Sequence, residues 1–264
     1  MSFGAAKPRI FTPMSLGRTP LGRNTRALWW AYWPRLDYSA GLALQHRLHA
    51  ARGRGEIPDV LVVTEHLPTV TLGRRGSLAD LPLGARELAA RGIGLYKVGR
   101  GGRATFHGPG QLVLYPIVDL RALRIGPRRF VEAIEQATIH VLRAIGVKAE
   151  RGKAVPGVWV GTHKIAAVGL EILDGVTRHG LSLNLRREIT PPDLIIPCGM
   201  PDVRPTSVDA LANSPPSPIE VGSALARELA AMLDLSPCQV ETAALLRETR
   251  RPSAAKVVPL GSPG

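Results

Sequence analysis

One strongly amphipathic helix separates two groups of short β-rich segments in this sequence. The helix is predicted to start at Pro127 and to end at Gly146, because apolar residues recur at helical spacing from Phe130 to Ile145. The segments on either side do not alternate regularly with further helices, as the strands of a Rossmann fold or a parallel barrel would. The pattern therefore predicts an α+β domain, or an α/β domain with a mixed sheet.

The other predicted elements are short. A helix capped by Asp37 is predicted over Tyr38–Arg52, and two late helices over Ile219–Leu235 and Gln239–Arg250. Runs rich in β-branched residues predict strands at Val60–Thr64, Thr69–Leu72, Leu95–Val98, Leu112–Val118, Gly157–Val160, Ile165–Leu173 and Arg178–Asn184.

Composition excludes several classes of protein. Hydrophobic residues make up 45% of the 264 residues, enough to bury a sizeable core. The most apolar runs, such as Ala27–Trp33, are far shorter than the roughly 20 residues of a membrane-spanning helix, so no membrane insertion is expected. Two cysteines, Cys198 and Cys238, cannot form a disulfide framework. A reducing, cytoplasmic location is the expectation.

Basic charge is concentrated at the N-terminus. The formal net charge is +13, and Met1–Arg35 carries six Lys or Arg residues and no acidic residue. This segment is rich in Gly, Pro, Ser and Thr, which predicts a flexible tail. A transit peptide and a true start at Met14 remain alternative explanations. The predicted organisation is an extension over 1–28, a catalytic domain over 29–250 and a flexible tail over 251–264.

A glycine-rich segment, Gly99–Gln111, lies between two predicted strands. Its five glycines indicate backbone that approaches a ligand closely or turns through positive φ. The dinucleotide-binding pattern fails because Ala104 replaces its third glycine and no helix follows. A plain β-hairpin with Gly108-Pro109-Gly110 at its bend is the alternative. Four polar side chains exceed what a turn requires, namely Arg100, Thr105, His107 and Gln111.

Three further segments carry candidate chemistry. Lys164 stands at the start of an apolar strand, where the alternation of side chains predicts that it shares a face with Ala166 and Val168. The common alternative is a lysine at a strand end whose side chain extends to solvent. His179–Asn184 is a strand containing a glycine. Cys198 lies between Pro197 and Gly199; such a cysteine is usually inert, but a nearby cation makes its thiol a nucleophile by lowering its pKa.

Together these segments resemble the lipoate-biosynthesis octanoyltransferases. The resemblance spans about Trp29 to Leu235. Its landmarks, in order along the chain, are Glu65-His66, Thr71-Leu72-Gly73-Arg74, Arg100–Gln111, Lys164–Gly169, His179–Asn184, Pro197-Cys198-Gly199 and Thr206-Ser207.

The resemblance implies a two-step acyl transfer on a single domain with the fold of biotin and lipoate protein ligases. Octanoyl-acyl carrier protein is the implied donor, and a lysine ε-amine on the lipoyl domain of a 2-oxoacid dehydrogenase or glycine-cleavage subunit is the acceptor. Cys198 is the implied nucleophile and Lys164 the residue that lowers its pKa. No cofactor and no metal are implied.

The resemblance also implies the substrate pocket. Its residues are Arg100, Gly101, Gly102, Arg103, Ala104, Thr105, Phe106, His107, Ala167, Val168, Gly169, Gly180, Leu181 and Ser182. The small residues Ala166, Ala167, Gly169 and Gly180 are expected to leave room for the acyl chain.

Two other classes of function stay open at this point. An ATP-dependent lipoate or biotin ligase has the same fold and needs no cysteine. A nucleic-acid-binding protein is indicated only by the charge; because the sequence has no strip of alternating aromatic and basic residues, nucleic acid is not an expected partner.

Overall fold

The computed structural model describes residues 27–152, 155–187, 194–196 and 203–248. Within these ranges the strands are β1 (Ala27–Leu36), β2 (Asp59–His66), β3 (Thr69–Leu72), β4 (Gly94–Lys97), β5 (Ala104–His107), β6 (Gln111–Ile117), β7 (Glu150–Arg151), β8 (Gly157–Val160), β9 (His163–Leu173), β10 (Val176–Asn184), β11 (Arg204–Pro205) and β12 (Ser236–Gln239). The α-helices are α1 (Tyr38–Gly53), α2 (Gly84–Ala90), α3 (Leu120–Leu123), α4 (Pro127–Ala144), α5 (Val208–Leu211), α6 (Pro218–Met232) and α7 (Thr242–Glu248), and a 3-10 turn covers Leu78–Asp80.

The described strands form a large mixed sheet and a small one. The large sheet has the order β12-β1-β2-β6-β10-β9-β8-β7, with β11 beside β9. Strands β12, β1 and β2 run parallel, and the pairs from β2 to β7 are antiparallel. The small sheet has the order β4-β3-β5. The predicted mixed-sheet fold class is therefore confirmed.

Helices cover both faces of the large sheet. Helices α4 and α6 pack on one face, where Phe130 and Leu225 join the larger core cluster. Helix α1 packs on the other face through Leu44 and Leu48. The predicted caps are confirmed: the Asp37 carboxylate accepts hydrogen bonds from two backbone N–H groups of the first turn of α1, and Gly146 adopts φ +83° just after α4. Among the described residues, no helix has the length and apolarity needed to cross a membrane.

Strand β1 corrects the interpretation of Met1–Arg35 as a tail. Leu28 and Trp30 lie in the cluster on one face of the sheet, whereas Trp29 and Ala31 lie in the cluster on the other. A central strand buried on both faces has no polar alternation, so the sequence pattern did not reveal it. The strand begins two residues before the predicted domain start. Residues 1–26 and 249–264 lie outside the described residues.

One other prediction is corrected, and the hairpin alternative for the glycine-rich segment is excluded. Residues from Gln239 onward were predicted as one helix, but Ser236–Gln239 forms edge strand β12, and the helix begins at Thr242. The Gly108–Gly110 bend does not form a hairpin, because β5 pairs with β3 in the small sheet while β6 pairs with β2 and β10 in the large one. This bend connects the two sheets.

Candidate active site

A cleft of about 640 Å³ opens between the small sheet and strands β9 and β10. Lys164 and every predicted substrate-binding residue except Phe106 line it. Phe106 lines an adjoining cavity of about 80 Å³, which shares Thr105, Lys164 and Ser182 with the cleft. The structure thus brings together segments that are far apart in sequence, while the roles of these residues remain predictions.

The buried guanidinium of Arg100 holds the glycine-rich loop against the small sheet. Its Nη2 donates to the Thr71 carbonyl at 2.8 Å, to Thr71 Oγ1 at 2.7 Å and to the Arg103 carbonyl at 2.9 Å. Its Nη1 donates to the Gly101 carbonyl at 2.9 Å. Gly101 in turn donates its N–H to Leu170 on β9 at 2.8 Å. Arg100 therefore fixes the loop that connects the two walls of the cleft.

A chain of hydrogen bonds runs from the small sheet to the strand of Lys164. His107 Nδ1 lies 2.8 Å from Gln111 Oε1, and Gln111 Nε2 donates to Asn184 Oδ1 at 3.1 Å. Asn184 Nδ2 donates to the Thr206 carbonyl at 2.9 Å, and the Thr206 N–H donates to the Lys164 carbonyl at 2.9 Å.

Burial lowers the pKa of His107 to about 3, and the neighbouring His66 and Arg100 contribute to this shift. His107 is therefore neutral at physiological pH and acts as a hydrogen-bonding group.

A β-bulge in β9 decides which face of the large sheet Lys164 occupies. Val158 on β8 pairs with Ala166, but the next residue, Trp159, pairs with Lys164. One extra residue, Ile165, is thus inserted in β9. Ile165 and Ala166 both join the core cluster that contains Val158. Lys164 therefore shares the opposite face with Trp159.

This bulge corrects the prediction that Lys164 shares a face with Ala166 and Val168. Val168 packs against the same core cluster as Ala166. Lys164 instead lines the cleft near Ala167 and Ser182, which pair across β9 and β10. A regular strand would have turned Lys164 toward the core, so the inserted residue brings its side chain to the cleft.

Gly157 and Trp159 shape the space that the Lys164 side chain occupies. A Cβ at Gly157 would lie 2.6 Å from both the Ala166 carbonyl oxygen and Lys164 Cε, and 3.2 Å from Lys164 Nζ. Gly157 also has φ +137°, which other residues rarely adopt. The Lys164 ammonium lies 5.2 Å from the centroid of a Trp159 ring, within the range of a cation–π interaction. The sequence predicted only a strand here, and nothing in the sequence indicated that its glycine borders the lysine.

The buried carboxylate of Glu135 fixes Gly157 to helix α4. Glu135 Oε1 accepts the Gly157 N–H at 2.6 Å, and Oε2 accepts Arg151 Nε at 2.8 Å. Gly152 also donates its N–H to the Gly157 carbonyl at 3.0 Å. The position of Gly157, and with it the space for Lys164, is thus set by the helix.

The inner end of the cleft is aromatic. Tyr38, Tyr115 and His179 line it. Tyr115 Oη lies 2.6 Å from His66 Nε2, and His66 Nδ1 lies 2.6 Å from the Leu36 carbonyl, so the histidine accepts from the tyrosine and donates to the backbone. Burial lowers the pKa of His66 to about 4. Neither tyrosine was predicted to lie at the site: Tyr115 stands within an apolar run, where a tyrosine usually belongs to the core, and Tyr38 carries no local signal beyond the start of a helix.

Two of the small residues expected to make room for an acyl chain serve backbone packing. A Cβ on Gly180 would clash with the Leu114 carbonyl oxygen of β6, and a Cβ on Gly169 would lie 3.1 Å from the Gly101 carbonyl oxygen. These glycines let neighbouring backbone approach. Ala167 is the predicted small residue that presents its side chain to both the cleft and the adjoining cavity.

Cys198, with Pro197 and Gly199, lies outside the described residues. The described chain on the two sides of this segment borders the adjoining cavity, through Ile195 and Val203. Ile196 donates its N–H to the Asp80 carbonyl at 2.9 Å. The predicted role of the cysteine therefore stays a prediction.

Comparison with known proteins identifies the relatives of this chain. Residues 37–230 match the family model of the lipoyl protein ligase A/B catalytic domain. An octanoyltransferase of Chloroflexus aggregans is 40% identical over 205 residues, covering 76% of this chain and 93% of the relative. A mitochondrial octanoyltransferase of Arabidopsis thaliana is 42% identical over 174 residues, covering 66% and 74%.

Solved structures share the fold at low sequence identity. A bipartite lipoate protein ligase of Thermoplasma acidophilum superposes with a TM-score of 0.62 at 17% identity, covering 84% of this chain and 90% of that one. LipL1 of P. falciparum, in complex with lipoate, superposes with a TM-score of 0.64 at 10% identity, covering 86% and 68%.

Proposed function

Because the chain belongs to the family of lipoyl protein ligase A/B catalytic domains and is an octanoyltransferase of lipoate biosynthesis, we propose that it transfers octanoyl in two steps through Cys198. The donor is octanoyl-acyl carrier protein. The acceptor is the ε-amine of a lysine on a lipoyl domain. The lipoylation enzymes among its relatives support partners of these two kinds in general.

The observation that carries the proposal is the Lys164 ammonium on the cleft face of the bulged strand. Lys164 is 7% exposed and lies beside the Trp159 ring, at the boundary between the cleft and the adjoining cavity. A cation in such surroundings favours the thiolate form of a nearby cysteine, because low polarity strengthens the attraction between opposite charges.

The chemistry proceeds without an activating nucleotide. In the first step the Cys198 thiolate attacks the donor thioester carbonyl, and the carrier thiolate leaves and takes up a proton. In the second step the neutral acceptor amine attacks the acyl-enzyme, the amide forms, and the Cys198 thiolate is released. Lys164 gives its proton to the departing carrier thiolate in the first step and takes up the proton that the amine nitrogen loses in the second. The first step exchanges one thioester for another, and the second forms a more stable amide.

The cleft supports an acyl substrate in size and lining. Its volume of about 640 Å³ falls in the usual range for small-molecule sites. Apolar side chains of Val131, Val155 and Ala167 line it, and aromatic rings lie at its inner end. These surfaces suit an aliphatic chain, whereas the glycine-rich loop offers backbone N–H groups for the carbonyl oxygen.

Intact mass spectrometry tests the two-step scheme. Incubation with octanoyl-acyl carrier protein should add one octanoyl group to the enzyme, and addition of a lipoyl domain should remove it. The Cys198→Ala variant should gain no octanoyl group, with Cys238→Ala as the matched control that still does. An octanoyl adduct on Cys198→Ala at the wild-type level would contradict the assignment of the nucleophile.

A ligase that activates free acid with ATP is the second candidate, because the solved structures that share the fold include lipoate protein ligases. The discriminating measurement is transfer from free octanoate to a lipoyl domain with and without ATP. We expect no transfer under either condition. ATP-dependent transfer that survives Cys198→Ala would favour the ligase.

A further inference from the structure

Two adjacent arginines stand at the mouth of the cleft, on the turn that follows β3. Arg74 and Arg75 are both exposed, and both line the cleft. They lie on the small-sheet wall, and Lys164 lies on the large-sheet wall of the same cleft. A donor whose thioester reaches Lys164 and whose arm follows the small-sheet wall would pass this turn.

The turn is fixed by its own backbone and by the glycine-rich loop. Arg74 donates its N–H to the Arg100 carbonyl at 2.9 Å, and Arg75 donates its N–H to the Gly102 carbonyl at 3.1 Å. The two side chains thus project from a loop that Arg100 already holds in place.

Gly73 and Gly76 close the turn. Gly76 donates its N–H to the Gly73 carbonyl at 2.9 Å, and Lys97 Nζ donates to both glycine carbonyls. A Cβ on Gly73 would lie 2.6 Å from the Gly102 carbonyl oxygen, so only glycine permits this approach. The turn is a built support for the two arginines.

The charges at the cleft mouth are not equally compensated. Arg103, the third arginine there, forms an ion pair with the buried Asp80 at 2.7 Å. Over the ranges that the structure describes, no hydrogen bond or ion pair involves the side chain of Arg74 or Arg75. Two like charges side by side repel each other, and an anion bound between them relieves that repulsion. Guanidinium groups bind phosphate through paired hydrogen bonds.

We propose that Arg74 and Arg75 form a subsite for the phosphate group on the carrier arm of the thioester donor. The inference rests on the proposed acyl transfer, because it takes the ligand to be a thioester whose arm leaves the cleft at this turn. The subsite distinguishes a phosphate-bearing arm from the same arm without phosphate. It binds the donor and takes no part in the chemical steps.

Paired donors test this subsite. The rate of acyl-enzyme formation is measured with octanoyl-4′-phosphopantetheine and with octanoyl-pantetheine. The wild type should prefer the phosphorylated donor by about tenfold or more in kcat/KM, as expected for charge-assisted hydrogen bonds. The double variant Arg74→Gln, Arg75→Gln should bring the ratio near one. A ratio near one in the wild type, or a preference retained in the double variant, would overturn the proposal.

A matched control separates the subsite from general charge. Arg86 is an exposed arginine on α2, in the same part of the molecule but outside the cleft lining. Arg86→Gln should keep the wild-type preference for the phosphorylated donor. An equal loss of preference in Arg86→Gln would show that net charge alone is responsible, and would also overturn the subsite.

A binding measurement keeps this test independent of the chemistry. Calorimetric titration of Cys198→Ala with 4′-phosphopantetheine and with pantetheine needs no acyl transfer. Tighter binding of the phosphorylated arm, lost in the double variant made in the same background, supports the subsite even if the acyl-enzyme does not form. Absence of an acyl-enzyme in the wild type would overturn the proposed two-step function instead.

Discussion

The two walls of the cleft hold their buried cations in different ways. On the small-sheet wall, Arg100 donates to Thr71, Gly101 and Arg103, so its guanidinium is part of the loop architecture. On the large-sheet wall, the Lys164 side chain lies over Gly157 and against the Trp159 ring. The planar fork of an arginine suits several fixed carbonyls, whereas the compact ammonium of a lysine suits proton transfer. One cation supports the cleft, and the other is the group proposed above to transfer protons in it.

The first prediction, which has the largest expected effect, concerns how the stability of the protein depends on pH. It rests on two buried histidines on the small-sheet side of the cleft, near Arg100. Burial lowers the pKa of His66 to about 4 and that of His107 to about 3. The unfolded chain binds protons on these imidazoles below about pH 6.5, while the folded protein does not until the pH nears those lower values. The free energy of unfolding should therefore fall between about pH 6.5 and 4, by about 3 kcal/mol for His66 alone.

Thermal unfolding followed by circular dichroism over this pH range measures the effect. The His66→Asn variant should show a shallower fall, because one imidazole no longer contributes. A stability that stays level from about pH 6.5 to 4, where the unfolded histidines gain protons, would contradict neutral burial of these residues.

The second prediction tests the packing of Lys164. Gly157→Ala should lower the rate of octanoyl transfer about 100-fold, because the added methyl group would clash with the Ala166 carbonyl oxygen and with Lys164 Cε and so displace the lysine side chain by an ångström or more. Gly161→Ala is the matched control: Gly161 also has positive φ, +57°, but nothing lies within 4 Å of its added Cβ. The control should lose about 1 kcal/mol of stability and keep its transfer rate.

The measurement is the steady-state rate of octanoyl transfer by both variants, with circular dichroism as a check that they fold. An equal loss of transfer in Gly157→Ala and Gly161→Ala would show that backbone strain is responsible, rather than contact with Lys164.

The third prediction concerns Arg100 itself. Arg100→Lys keeps the positive charge but removes the planar guanidinium group with its several N–H donors. At least one of the carbonyls of Thr71, Gly101 and Arg103 therefore loses a charge-assisted hydrogen bond. The free energy of unfolding should fall by about 2 kcal/mol, measured by urea denaturation. Transfer should fall less than in Gly157→Ala. A larger loss of transfer with unchanged stability would instead place Arg100 among the reacting groups.

Much of the fold could be predicted from the sequence, because most elements carry local signals. Strand β3 and strand β8 have the predicted bounds, and helix α4 begins at Pro127 as predicted. Strand β1 could not be predicted from alternation, since both its faces are buried. The pairing of β5 with β3 depends on contacts that are distant in sequence.

The candidate site was predicted from the order of several motifs rather than from any one residue. That resemblance located the segments, and the structure brings Lys164, His107 and Ser182 to one cleft. It could not show that Gly157 and Glu135 support the lysine, because that support depends on the packing of α4 against the edge of the sheet.

Because of the bulge at Ile165, the position of the Lys164 side chain depends on the number of residues in β9 as well as on which residues they are. Deleting that one residue would restore regular pairing between β8 and β9 and turn Lys164 toward the core beside Val158. An ammonium would then be buried among apolar side chains, at a cost that favours its neutral form or a rearranged strand. The single inserted residue in β9 thus determines which face of the sheet Lys164 occupies, and therefore whether its side chain reaches the cleft.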